Sequence, residues 1–140
     1  MRANDRVVLT GVESILEGRQ PTAEQILTRR EVRQIRARTR AFNEVLRGEA
    51  DRLGWAYVDT NAFLTRVDRR GRAVAGVGTL TTEYLGGIFS LDGVHPTDTG
   101  QALVAELVLE AINAKYGTAF APPDVAAIAA ADPETCNARR

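Results

Sequence analysis

The run from Thr28 to Gly54 constrains this chain more than any other segment. Thr28-Arg29-Arg30-Glu31 has the capping-box spacing, in which the Thr hydroxyl accepts from the third helical amide and Glu31 reaches back to the cap. The helix so started is predicted to run to about Leu53. Gly54 then supplies the left-handed residue that closes it. Steps of roughly 100° per residue place Val32, Ile35, Phe42, Leu46, Ala50 and Leu53 on one stripe. Arg29, Arg33, Arg36, Arg40 and Arg47 fall on the neighbouring stripe, so a buried face with a basic shoulder is expected.

Around this helix the chain has the means for one domain. It holds 140 residues, 44% hydrophobic and 26% charged, as an ordinary globular protein does. Eighteen basic residues balance eighteen acidic ones, which argues against electrostatic capture of nucleic acid as the main task. No apolar run approaches the roughly 20 residues of a membrane span. The start, Met1 to Arg6 followed by the short patch Val7-Val8-Leu9, does not read as a signal peptide. Cys136 has no second cysteine to pair with.

The other elements follow from shorter patterns. Val7 to Thr10 is β-branched enough for a brief strand, and residues 11–27 read as loop with one turn of helix. Trp55-Ala56-Tyr57-Val58 is nearly uninterrupted in apolarity, as a strand covered on both faces is. Helix, glycine and buried strand together make the second half of an α/β unit. A short helix is expected over Asn61 to Val67, a polar turn over residues 69–72, and an irregular glycine-rich stretch over 73–91. Beyond Pro96, residues 97–99 can cap a helix carrying Leu103, Val104, Leu107, Val108, Ala111 and Ile112, ending near Tyr116-Gly117. Residues 119–140 are expected to form a mobile Ala/Pro-rich tail, leaving a domain over 1–118.

His95 is the single histidine, and it follows Asp92 across a glycine in Ser90-Leu91-Asp92-Gly93-Val94-His95-Pro96. A carboxylate and an imidazole projecting from one loop can act as a pair. The acid holds one ring nitrogen and stabilises the imidazolium, which leaves the other nitrogen as base. Asp-Gly and His-Pro are also ordinary turn and cap chemistry, so spacing alone leaves a structural role open.

Residues 81–100, followed by an amphipathic helix, resemble the C-terminal block of the SGNH, or GDSL-type, serine hydrolases, in which an Asp-x-x-His-Pro element supplies the triad acid and base. The likeness extends over Arg38 to Asn43 and Tyr57 to Asp59, and so covers about residues 28–117. It implies catalytic roles for Asp92 and His95, with an ester or acyl substrate in the complete enzyme. It also implies part of a three-layer α/β/α, flavodoxin-like fold with one or two parallel strands and two long helices. The resemblance calls for no cofactor, and relatives are often secreted.

The blocks that give this family its nucleophile and oxyanion hole have no counterpart in the sequence. The serines are Ser14 and Ser90, and neither lies in a Gly-Asp-Ser block. Asn61 lacks the preceding glycine of the oxyanion asparagine and suits a capping role. The chain is therefore expected to be the C-terminal part of such a hydrolase, inactive alone. With an unpaired sheet edge near residues 55–58, it is expected to need a complementing N-terminal half or to self-associate.

The alternative is a non-catalytic remnant, or a binding module whose basic helix, residues 29–52, engages an acidic partner. Seventeen arginines to one lysine across the chain speak instead for a general bias in composition and a solvated face. One His, one Cys and carboxylates at no ligand spacing do not make a metal centre. Phe89 and Leu91 either line an acyl pocket or anchor the Asp92–His95 loop, with anchoring the commoner role of such apolar residues, and Gly86 and Gly87 are read as bends beneath it.

Overall fold

The computed structural model describes Arg6, Val7 and residues 9–135. It is a mixed helix and strand protein. Its elements are β1 (Arg6–Val7), α1 (Leu9–Leu16), β2 (Ile26–Leu27), α2 (Arg29–Leu53), α3 (Thr60–Arg70), β3 (Arg72–Val74), β4 (Gly78–Leu80), α4 (Asp98–Tyr116) and α5 (Val125–Ala131). They divide into two units, Met1–Glu49 and Ala50–Arg140.

In the first unit, β1 and β2 form a two-stranded antiparallel ladder. The expected strand at residues 7–10 is thus confined to β1, and Leu9 already begins a helix. Val8 lies outside the described residues. Residues 11–27 are more ordered than a loop. They hold most of α1, a 3-10 turn at Ala23–Gln25 and β2. Ser14 is buried and its hydroxyl donates to Gln25 Oε1.

Helix α2 has the predicted boundaries. Glu31 Oε2 accepts from the backbone amide of Thr28 at 2.8 Å and from its hydroxyl at 2.7 Å, while the Glu31 amide donates back to Thr28 Oγ1. Gly54 closes the helix at φ 70°. Its apolar stripe is not buried, however: Ile35, Phe42, Leu46 and Leu53 are exposed, and Ala50 is the one buried residue on the helix. Periodicity specifies that a face is apolar, and a covering layer has to come from elsewhere. Among the described residues no sheet supplies one.

The second unit holds the core. Phe63 and Val67 of α3, Val74 of β3, Val77, Leu80 of β4, Ile88, Leu103 of α4 and Ala129 of α5 pack together. Helix α3 starts at Asp59, whose Oδ1 accepts from the Ala62 amide. The cap is therefore Asp59, and Asn61 is an exposed first-turn residue. Residues 73–91 are less irregular than expected, because β3 and β4 form an antiparallel hairpin with Val74 opposite Gly78. Arg72 on β3 reaches Glu106 on α4 at 2.7 Å.

The expected strand at Trp55 to Val58 belongs to no ladder and has no regular structure, and Trp55 is 61% exposed. A parallel strand exists only with neighbours. Among the described residues both sheets are two-stranded and antiparallel. What holds the segment is the amide of Trp55 on the Ala50 carbonyl and that of Ala56 on the Tyr116 hydroxyl.

Described up to residue 135, the stretch expected as a tail is ordered structure. Asn113 turns the chain back by accepting from Thr118 Oγ1 and the Phe120 amide and donating to the Phe120 carbonyl. Asp124 then caps α5 by accepting from the Ala127 amide. Alanine favours helix strongly, and the cap together with the packing of Val125, Ala126 and Ala129 on the core fixes this short element. Ala129 has no exposed surface. Asp132, 3% exposed, accepts from the Thr99 amide at 2.9 Å and from its hydroxyl at 2.6 Å.

Burial opposes the charge on Asp132, yet hydrogen bonds from Thr99, Glu134 and Thr135 outweigh it and hold the carboxyl below its ordinary 3.8. A depressed folded-state value gives stability that is present above the unfolded value and is lost as pH falls through the folded one. Asp132→Ala is therefore expected to cost about 2–3 kcal/mol in urea unfolding at neutral pH. That deficit should shrink below pH 4; a deficit unchanged down to pH 2 would refute the carboxylate's role.

Candidate active site

The segment from Ile88 to Thr97 is a loop closed at its base. Phe89 and Pro96 form an antiparallel bridge, and the Ser90 amide donates to the His95 carbonyl at 2.8 Å. At the tip, the Gly93 amide donates to the Ser90 carbonyl, and Gly93 takes φ 71°, which a glycine adopts without penalty.

Thr97 anchors this loop to α4. Fully enclosed at 3% exposure, it donates its amide to the Ile88 carbonyl and its hydroxyl to the Gly87 carbonyl, and Oγ1 accepts from the Gly100 amide. It is the helix cap, and Asp98 is the exposed first residue of α4 rather than its cap. A side chain at Gly100 would collide with the Ile88 carbonyl oxygen, so loop and helix approach as backbone on backbone. Gly87 bends the chain at φ 86° below the loop. Phe89 packs against the core, as an anchor should, whereas Leu91 is exposed and anchors nothing.

Asp92 organises the tip with both oxygens. Oδ1 accepts from the Val94 amide at 2.8 Å, the His95 amide at 2.9 Å and the Ser90 hydroxyl at 2.8 Å. Oδ2 lies 2.5 Å from His95 Nδ1. Facing a carboxylate, Nδ1 carries the proton in the neutral ring, and Nε2 is left as the basic nitrogen. The His95 bond, the two backbone amides and the Ser90 hydroxyl hold Asp92 well below the usual carboxylate range. In turn the hydrogen bond and charge of Asp92 push the imidazole above its ordinary 6.5.

The two residues singled out from sequence thus meet, and both are exposed, His95 by 79% and Asp92 by 48% of the side chain. Water screens such a pair, so it is a formed acid–base couple without an enclosing wall. A cavity of about 260 Å³ in the same unit lies elsewhere, lined by Phe63, Val67, Leu103 and charged residues of α3, β3 and α4. Ser90 spends its hydroxyl proton on Asp92 and does not face the imidazole as a nucleophile. Its part in the site went unread in the sequence, although a Ser two residues before an Asp is a frequent local partner. Cys136 lies outside the described residues.

Among the described residues, no helix is long and apolar enough to cross a membrane. In comparisons with protein-family models, curated proteins and solved structures, nothing matches this chain.

The couple has a measurable signature. Titration of the His95 ring by NMR is expected to give a midpoint above 6.5, returning to the ordinary value in Asp92→Asn. Because the folded value is raised, the pair supports the native loop fully below pH 6.5 and ceases to as pH rises through the folded value. A midpoint at or below 6.5 in the unmodified chain would show that the couple does not form in solution.

Proposed function

We propose that this chain supplies the acid and base of a serine ester hydrolase of the SGNH, or GDSL, type, and forms the C-terminal part of that catalytic domain. The observation that carries the reading is the 2.5 Å approach of Asp92 Oδ2 to His95 Nδ1, on a loop whose backbone is fixed at both ends. The sequence resemblance of residues 81–100, which is anchored on the same two residues, supports it.

In the complete site, His95 Nε2 takes the proton of a serine hydroxyl as that oxygen attacks an ester carbonyl. Asp92 keeps the ring in the right tautomer and stabilises the imidazolium until the proton passes to the leaving alcohol. The serine and the oxyanion donors belong to blocks this sequence does not carry. Loss of a triad member alone costs about 10⁴–10⁶ in rate. The same absent blocks would bring neighbouring parallel strands, and Trp55 to Val58 would then pair into the flavodoxin-like sheet.

Two outcomes follow. The purified chain is expected to hydrolyse p-nitrophenyl esters no faster than background; serine-dependent turnover abolished by His95→Ala would overturn its dependence on missing parts. Upstream of Met1, the coding sequence is expected to encode a strand ending in Gly-Asp-Ser. A polypeptide extended by that segment should be an esterase that loses about 10⁴–10⁶-fold in kcat with His95→Ala. An extended chain without esterase activity, or one indifferent to His95→Ala, would defeat the proposal.

A further inference from the structure

Helix α2 carries an apolar seam that the described residues leave exposed. Val32, Ile35, Thr39, Phe42 and Leu46 follow one another at spacings of three and four residues, the pattern of a two-stranded coiled coil; Glu49 takes the next position and Leu53 the one after. Ile35, Phe42, Val45, Leu46 and Leu53 are each between 42% and 67% exposed. Of the two polar members, Thr39 donates its hydroxyl to the Ile35 carbonyl at 3.0 Å, so it brings no unsatisfied donor to a contact. Large apolar side chains exposed in a row mark an association surface.

Charge identifies what lies on it. The N-terminal half of α2, Arg29 to Arg40, holds six arginines against Glu31, a net charge of +5. The C-terminal half, Ala41 to Leu53, sets Glu44, Glu49 and Asp51 against Arg47 and Arg52, a net charge of −1. A uniformly acidic partner would suit the first half and not the second. A parallel copy would stack +5 on +5. An antiparallel copy sets each strongly basic half against the other copy's weakly acidic one, with Glu49 brought beside Arg33 and Arg36 of the second copy.

We propose that α2 is the interface of an antiparallel homodimer, with Phe42 meeting its counterpart near the centre of the seam. The helix is about 37 Å long, enough for the seam from Val32 to Leu53 to lie along a second copy. The inference stands apart from the Asp92–His95 reading and uses none of its residues.

The test is sedimentation of the full chain across a micromolar dilution series. A reversible monomer–dimer equilibrium is expected, and Phe42→Glu or Leu46→Glu should raise the dissociation constant at least about 30-fold. Both side chains are exposed in the single chain, so its helix content by circular dichroism should not change. Orientation is read without disturbing the seam, from a nitroxide on Arg30→Cys in a Cys136→Ser background. The two labels should lie about 36 Å apart in the antiparallel dimer, against about 10 Å in a parallel one. A monomer at every concentration overturns the proposal, as does a monomer that binds only poly-glutamate. A dimer insensitive to both glutamate variants, or a short label distance, overturns it equally.

Discussion

Everything that positions the candidate site passes through the polar clamp at the start of α4. Thr97 bonds backward to the Gly87 and Ile88 carbonyls and forward to the Gly100 amide, and Asp132 takes the two donors of Thr99 next to it. These groups are buried, so each would be costly to leave unpaired. Their mutual satisfaction lets backbone approach backbone at Gly100 and gives the Asp92–His95 loop a rigid floor. The apolar core of Ile88, Leu103 and Ala129 lies against the same place.

On that floor the acid–base couple is organised from within. Asp92 draws three donors to one oxygen and reserves the other for the imidazole. The bonds of the couple are therefore all made within the loop, which is why they form in the open, while the clamp below holds the loop itself. Its exposure also limits what it can do, since an imidazole in water has no developing charge to answer and no substrate held against it.

What the sequence made legible was local. Thr28 with Glu31, Gly54, Thr97 and Gly117 set the ends of the two long helices through side-chain and glycine chemistry that acts within a few residues. Asp92 and His95 were found for the same reason, three positions apart in one turn. The elements that were misread depend on partners far along the chain. The β3–β4 hairpin is only three residues a side, too brief for alternation to show. The Ala-rich run at 125–131 has no polar face to create a period, and only its contact with the core makes it a fixed helix. The stripe on α2 was read correctly as apolar and wrongly as covered, because covering is a property of neighbours.

Asp132 reaches back more than thirty residues to hold the cap region beneath the loop. A protease that cut between α4 and α5, even without touching the imidazole, would free the carboxylate that steadies its platform. Integrity of α5 and the turn after it is thus a precondition for the loop's shape, and damage at Asp132 would be felt some forty positions earlier in the chain.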